Sequence, residues 1–144
     1  MSTVSMSLDA IYALAHDTMT ANGCDEANAA ALADIVMRAE RDGSHSHGLF
    51  RVPGYVKALR SGKVDGKAKP TVTKKTPAVV HVDGDGCFAP LAQAVGLPVL
   101  AEAAEEALRR ARSLRDVLPA PVRAALLPGA LAGMALDRLR RVDF

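Results

Sequence analysis

Apolar residues recur at intervals of three and four over residues 8–39, which is the period of an amphipathic helix. Ser7 is a good N-cap for a first helix, and Asn22-Gly23 ends it, since glycine suits the left-handed position after a helix. Asp25 caps a second helix. The predicted apolar faces are Leu8, Ile11, Leu14, Ala15 and Thr18 in the first helix and Ala27, Ala31, Leu32, Ile35, Val36 and Ala39 in the second. The short turn predicts an antiparallel helical hairpin.

The polar stretch of residues 41–48 interrupts this period, and Pro53 fits the first turn of a third helix that ends at Gly62. Residues 63–77 are rich in Lys, Gly, Thr and Pro and predict a loop or an irregular extended segment. Residues 78–82 form a short β-branched run that ends at the turn of residues 83–86, which predicts a strand.

Helical spacing returns from about Pro90 to Arg115. Its predicted apolar side is Val99, Ala103, Ala107, Ala111 and Leu114. Two more helical pieces follow, separated by Pro128-Gly129. The predicted fold class is therefore α+β and mostly helical, with an N-terminal hairpin, a third helix, one short strand and a helical C-terminal tail.

Composition narrows the class of protein. The chain has 144 residues, of which 49% are hydrophobic, and a formal net charge of +2, so charge gives no reason to expect a nucleic acid or a membrane as partner. No apolar run approaches the roughly 20 residues of a membrane span, and residues 1–7 lack the features of a signal peptide. Two cysteines, Cys24 and Cys87, are too few for a disulfide framework. These features predict a soluble cytoplasmic protein.

The candidate chemistry lies in the polar stretch, at Ser46, His47 and Arg51. His47 and Arg51 are four residues apart, so a helix that starts near Ser46 would place both on one face. An arginine fork binds a carboxylate, a histidine delivers a proton to a neighbouring carbonyl oxygen or imine nitrogen, and a serine hydroxyl relays that proton or holds the imidazole tautomer. Gly48 would leave the backbone open to a ligand. The set suits a small 2-oxo or 2-imino acid.

Less specific interpretations of the same residues remain open. A histidine-rich turn at the start of a helix can serve only capping and solvation, and Arg51 can be an ordinary surface charge. Metal binding through His45 and His47 is disfavoured, since no cysteine or carboxylate has ligand spacing, and we predict no metal site. The turn of residues 83–86 lacks the later ligands of a calcium loop, and its glycines do not follow the dinucleotide fingerprint. No cofactor-binding residues can be assigned from these motifs.

The run Arg-Asp-Gly-Ser-His-Ser-His-Gly-Leu-Phe-Arg-Val-Pro-Gly-Tyr, residues 41–55, resembles the signature of the malate/L-lactate dehydrogenase family of the non-Rossmann type. The resemblance covers roughly residues 7–105 and is closest to the Δ1-piperideine-2-carboxylate and Δ1-pyrroline-2-carboxylate reductases. It implies reduction of cyclic 2-imino acids or 2-oxo acids by NADPH or NADH, commonly in a homodimer. It also implies a proton relay at Ser46 and His47 and a substrate-carboxylate ligand at Arg51. The family's relay further includes an aspartate from a later domain, which has no match here.

The tail differs from that family. Beyond Glu106 the chain has eight arginines and no lysine or glutamate, and residues 108–144 weakly resemble the C-terminal helices of squalene/phytoene synthase-like proteins without their Asp-rich motifs. We therefore expect residues 1–106 to be the N-terminal region of a reductase and residues 107–144 to be a tail of different origin. Such a fragment is expected to be inactive alone. The alternatives are a noncatalytic helical scaffold or interaction protein and, with less support, a prenyl-synthase-related remnant.

The two-origin interpretation predicts the outcome of a deletion. Removing residues 116–144 should leave the helical circular dichroism signal and the melting temperature of the front region largely unchanged, because that region did not evolve around this tail. The tail's predicted apolar stripe of Leu114, Leu118, Leu126, Leu127, Leu131, Met134 and Leu139 should bury itself by loose docking or self-association, so the deletion should reduce any oligomer. Unfolding of residues 7–105 after the deletion would contradict the interpretation.

Overall fold

The structure, a computed structural model, describes residues 4–76, 79–114, 117–119 and 127–141. Its helices are α1 (Leu8–Ala21), α2 (Glu26–Arg41), α3 (Val52–Arg60), α4 (Ala89–Leu114) and α5 (Leu127–Arg141). Strands β1 (Thr71–Thr76) and β2 (Val79–Asp83) pair in a two-stranded antiparallel sheet. The predicted mostly helical α+β fold is confirmed.

The ends of the hairpin helices follow the capping residues of the sequence. The Ser7 Oγ accepts a hydrogen bond from the Ala10 N–H at 3.2 Å, and the Asp25 Oδ1 accepts one from the Asn28 N–H at 3.0 Å. Gly23 follows α1 with a φ of 101°, in the left-handed region that glycine enters without steric cost. These local signals are confirmed because each cap depends only on neighbours within one turn.

Asp25 also ties the start of α2 to a distant segment. Its Oδ2 pairs with the Lys69 Nζ at 2.5 Å, and its backbone N–H donates to the Gly66 carbonyl at 2.9 Å. The buried Asn28 side chain donates to the Ala68 carbonyl at 3.2 Å. The bond from Lys69, aided by those from Asn28, lowers the pKa of Asp25 to about 2. Residues 66–69 are therefore fixed against the N-terminus of α2.

The chain forms two compact units, Met1–Thr71 with Val82–Val95, and Val72–His81 with Gly96–Phe144. These units are defined by contacts within the fold. The expected division into a reductase-like region, residues 1–106, and a tail of different origin, residues 107–144, stays a prediction. The first unit holds two buried apolar clusters. One contains Met19, Cys24, Ala29, Leu32 and Phe88, and the other contains Ile11, Ala15, Ala33 and Val36. Both clusters join α1 to α2, so the hairpin is the core of this unit.

The buried faces differ in part from those predicted. In α1 the buried residues are Ile11, Ala15 and Met19, whereas Leu14 is 48% exposed. In α2 they are Asn28, Ala29, Leu32, Ala33 and Val36. Leucine and alanine spaced at three and four define more than one possible stripe, and the partner helix selects the one that is buried.

The second unit contains the outer part of α4 and helix α5. Ala103 of α4 is 2% exposed, and the Lys74 Nζ donates to the Glu106 Oε2 at 3.1 Å. A Cβ at Gly133 would lie 3.3 Å from the Leu108 Cδ2, so this glycine lets α5 approach α4 closely. Leu131 and Met134 of the predicted apolar stripe are 68% exposed, and the side chains of Leu126, Leu127 and Leu139 lie outside the described residues.

Two predictions about elements are wrong. Residues 71–76 form the regular strand β1 rather than part of a loop or an irregular extended segment. The backbone groups of Thr71–Thr76 pair with β2, although their side chains are mostly exposed and do not alternate in polarity. Pro128-Gly129 lies in the first turn of α5 rather than between two helices, since proline is well tolerated there. The predicted helical piece before it falls outside the described residues.

Across the described ranges, no helix is both long and apolar enough to cross a membrane.

The two N-caps give a matched stability test. Asp25→Ala removes a cap together with the contacts to Lys69 and Asn28, whereas Ser7→Ala removes a cap alone. We expect a loss of about 2 kcal/mol in the free energy of unfolding for Asp25→Ala and about 1 kcal/mol for Ser7→Ala, measured by urea denaturation. Equal losses would show that the additional contacts of Asp25, with the Lys69 and Asn28 side chains, contribute nothing.

The lowered pKa of Asp25 predicts the pH range of that contribution. The ordinary pKa is 3.8 and the pKa in the fold is about 2, so the carboxylate's contribution is complete above about pH 4 and is lost as the pH falls toward 2. The stability difference between the wild-type chain and Asp25→Ala should therefore shrink over that range. A difference that stays constant down to pH 2 would contradict the assignment.

Candidate functional site

The loop between α2 and α3 carries the predicted site residues. Helix α2 ends at Arg41 with Asp42 as its C-cap, and Gly43 follows with a φ of 73°. Two short 3-10 turns then cover His45–His47 and Leu49–Arg51 before α3 begins at Val52. The prediction of a helix that starts near Ser46 is therefore wrong, and Ser46 caps no helix. Short 3-10 turns are common as connectors next to helix ends. We call residues 44–49 the motif loop.

Ser46 and His47 form a direct side-chain pair. The Ser46 Oγ lies 3.0 Å from the His47 Nδ1, within hydrogen-bond distance, and both residues are exposed. When the imidazole proton is on Nε2, the Ser46 hydroxyl donates to Nδ1 and leaves the Nε2–H available to a ligand. When Nδ1 carries the proton, the Ser46 hydroxyl oxygen accepts a hydrogen bond from the Nδ1–H. The Ser46 hydroxyl can therefore bond to either imidazole tautomer, and it can pass a proton to or from Nδ1.

Arg51 lies at the end of the second 3-10 turn, above an anchored aromatic ring. Its guanidinium carbon is 6.0 Å from the centre of the Tyr55 ring, which is a cation–π arrangement. Tyr55 contacts the Phe88 ring edge to face, with 5.3 Å between ring centres, and packs against both buried clusters. Arg51 itself is exposed and, among the described residues, forms no ion pair. Its charge is available to an anion.

The structure thus brings two of the three predicted residues together. Ser46 bonds to His47, whereas Arg51 follows after Gly48 in a separate turn. The predicted common face rested on a continuous helix, which does not form here. That His47 and Arg51 share one groove remains a prediction.

Glu40 is a residue that the motif analysis missed. It lies in the last turn of α2, and its side chain is 15% exposed. Its carboxylate accepts hydrogen bonds from the His45 Nδ1–H at 2.5 Å and from the Leu49 N–H at 2.7 Å. The bond from His45, and then that from Leu49, lowers the pKa of this carboxyl group. No local spacing rule marks such a residue, since its partners are five and nine positions away.

Glu40 also corrects the interpretation of Gly48. A Cβ at Gly48 would overlap the Glu40 carboxyl group and lie 2.7 Å from its Cγ. The open face of the glycine is therefore occupied by Glu40 rather than left to a ligand. Since Glu40 already binds the His45 Nδ1, that nitrogen is not free for a metal, and the described residues contain no group of three metal-ligating side chains.

A dinucleotide does not fit the glycine-rich turn of the described residues. In the turn of residues 83–86 the Asp83 Oδ1 accepts from the Asp85 N–H at 3.1 Å, so the turn presents carboxylates where a diphosphate would need free N–H donors. The Gly84 carbonyl accepts from the Cys87 N–H at 2.8 Å, which closes the turn on itself. We assign no cofactor-binding residue to this region.

Known proteins are similar to this chain over the region that contains the helical hairpin and the motif loop. The profile of the malate/L-lactate dehydrogenase family matches residues 6–114. A Δ1-pyrroline-2-carboxylate reductase of Ancylobacter novellus is 44% identical over 113 residues, which cover 78% of this chain and 33% of that protein. A Δ1-pyrroline-2-carboxylate/Δ1-piperideine-2-carboxylate reductase of Pseudomonas putida is 48% identical over 92 residues, or 64% of this chain and 25% of that protein.

Solved structures agree with this match. The Δ1-piperideine-2-carboxylate reductase of Pseudomonas syringae superposes with a TM-score of 0.70 at 40% identity, covering 73% of this chain and 32% of that one. The malate dehydrogenase of Pyrococcus horikoshii shares the fold with a TM-score of 0.66 at 24% identity, covering 72% of this chain and 30% of that one. The chain spans about a third of the length of the curated Δ1-pyrroline-2-carboxylate reductases that it matches. On the extent of the family match, the chain belongs to the malate/L-lactate dehydrogenase family.

Proposed function

We propose that this chain is the N-terminal, substrate-side portion of an NAD(P)H-dependent reductase of cyclic 2-imino acids, with 2-oxo acids as the related substrate class. The observation that supports the proposal most strongly is the Ser46–His47 pair at 3.0 Å, in a part of the chain whose relatives are named as pyrroline- and piperideine-2-carboxylate reductases. The proposal includes both NADH and NADPH as hydride donors, and it assigns no residue of this chain to the discrimination between them.

In this proposal each site residue has one chemical role. Arg51 binds the substrate carboxylate with its permanently charged, planar guanidinium. His47 holds the proton that the ring nitrogen or carbonyl oxygen of the substrate gains on reduction, and Ser46 relays a proton to or from the His47 Nδ1. The family resemblance implies a nicotinamide as hydride source, and the glycine-rich turn of the described residues does not fit it.

Anchoring of Arg51 supports its role as a carboxylate ligand. The guanidinium lies against Tyr55, whose ring is fixed by Phe88 and the hairpin core, so less side-chain freedom is lost when a carboxylate binds. An arginine that projects freely into solvent would lose more conformational entropy on binding.

The carboxylate role can be tested on this chain by NMR. Pyrrole-2-carboxylate is a stable planar ring with a carboxylate at C2, and in a titration of the 15N-labelled chain it should shift the amide signals of residues 46–51. Arg51→Ala should raise the dissociation constant about tenfold or more, because a charge-assisted hydrogen bond contributes about 1.5–3 kcal/mol.

The matched control for this experiment is Arg60→Ala. Arg60 is the basic residue at the other end of α3 and bonds to the Asn22 Oδ1 at 2.9 Å, away from the motif loop. Its loss should leave the dissociation constant unchanged. Equal affinities for the wild-type chain and Arg51→Ala would remove Arg51 from the site.

A second test concerns activity. The purified chain should show no measurable NADPH-dependent reduction of Δ1-piperideine-2-carboxylate and no quenching or enhancement of NADPH fluorescence, because proton delivery cannot replace a bound hydride donor. A full-length Δ1-piperideine-2-carboxylate reductase, such as that of Pseudomonas syringae, provides the positive control for both assays. Turnover by this chain alone would show that residues here bind the nucleotide.

A further inference from the structure

Glu40 contacts the motif loop on both sides of the Ser46–His47 pair. One carboxylate oxygen, Oε2, accepts from His45, which directly precedes Ser46, and the other, Oε1, accepts from the Leu49 N–H two residues after His47. The loop between these two bonds contains only Ser46, His47 and Gly48. A single side chain from α2 therefore fixes both ends of the segment that carries the pair.

Packing adds a third contact to these two hydrogen bonds. The Glu40 carboxyl group lies where a Cβ of residue 48 would be, so the side chain rests directly on the glycine backbone. Any larger residue at position 48 would push the carboxylate away from both of its donors. Glycine at position 48 therefore leaves the space that the Glu40 side chain occupies.

Electrostatics make this arrangement stable near neutral pH. The Glu40 carboxylate is ionised there, since its pKa lies below the ordinary 4.5, and hydrogen bonds to a charged acceptor are stronger than those between neutral groups. The Glu40 side chain is 15% exposed and the His45 side chain is 75% exposed, so water competes less for the bond from the Leu49 amide than for the bond from His45.

We propose that Glu40 is the positioning residue of the Ser46–His47 pair: its carboxylate holds His45 and the Leu49 amide and thereby sets the orientation of the His47 imidazole. The relevance to catalysis rests on the function proposed above for His47. The positioning itself is a property of the loop and can be measured without substrate, cofactor or turnover.

The experiment compares three substitutions in the 15N-labelled chain by NMR. In Glu40→Ala both hydrogen bonds are lost, so we expect the order parameters of the amides of residues 44–49 to fall from about 0.85 toward 0.6 or below. The 15N shifts of the His47 ring should also move toward those of a free histidine as its contact with the Ser46 hydroxyl is weakened. In Glu40→Gln the Leu49 bond and the contact with Gly48 can persist, so this conservative variant should restore most of the loop order.

Glu26→Ala is the matched control for Glu40→Ala. Glu26 lies at the opposite end of α2 and its carboxylate bonds to the His16 Nε2 at 3.2 Å, so the substitution also breaks a glutamate–histidine pair on the same helix. It should change the ring signals of His16 and leave those of His47 and the loop amides as they are in the wild-type chain.

A substitution at Gly48 provides a second test that does not depend on the folding of Glu40→Ala, and the double substitution then tests whether the two residues act through one contact. Gly48→Ala should reproduce the effects of Glu40→Ala on the His47 ring, because the added methyl group displaces the carboxylate. In the Glu40→Ala background the same change should add little, since the space is then empty. This non-additivity is the signature of two residues that act through one contact.

The contrary results are equally defined. Unchanged order of residues 44–49 and unchanged His47 ring shifts in Glu40→Ala would overturn the proposal, as would additive effects of the two substitutions. A lower melting temperature with an unaltered His47 ring would assign Glu40 a purely structural role. Failure of pyrrole-2-carboxylate to bind the wild-type chain would instead count against the proposed function and leave the positioning result intact.

Discussion

Close packing of α1 against α2 is the contact on which the rest of the first unit depends. Small side chains are buried in both apolar clusters, namely Ala15 and Ala33 in one and Ala29 in the other. Alanine at such positions lets the two helices approach, and Met19 and Leu32, each 1% exposed, fill the remaining space. Since aromatic residues make up only 3% of the chain, this interface uses small and aliphatic side chains instead of large rings.

The hairpin positions the candidate site by two separate connections. The first is apolar: Tyr55 of α3 packs on both clusters and supports Arg51 through its ring. The second is polar: Glu40, at the end of α2, binds the motif loop next to His47. The proposed carboxylate ligand and the proposed proton donor therefore depend on the same pair of helices, although they lie in different turns. Such support from regular structure is what keeps exposed functional residues in a defined geometry.

Elements whose signals are local could be predicted, and elements that depend on a partner could not. The caps at Ser7 and Asp25 and the start of α3 around Pro53 follow from contacts within one turn, and all three are confirmed. Strand β1 could not be predicted, since the side chains of Thr71–Thr76 show no alternation and the segment becomes a strand by pairing with β2. The break between the two 3-10 turns also depends on a distant partner. At this break the backbone of Gly48 lies against the side chain of Glu40.

The sequence by itself determined the helical hairpin, the family and the residues that carry the candidate chemistry. Helical periods, capping residues and the Ser-His-Ser-His-Gly run of residues 44–48 are read within a short window of chain, and each reflects interactions between near neighbours. The tertiary structure decided which stripe of each helix is buried and that Glu40 bonds to both sides of the loop that carries Ser46 and His47. These outcomes depend on which surfaces meet, and hydrogen bonds and packing between such surfaces leave no periodic trace in the chain.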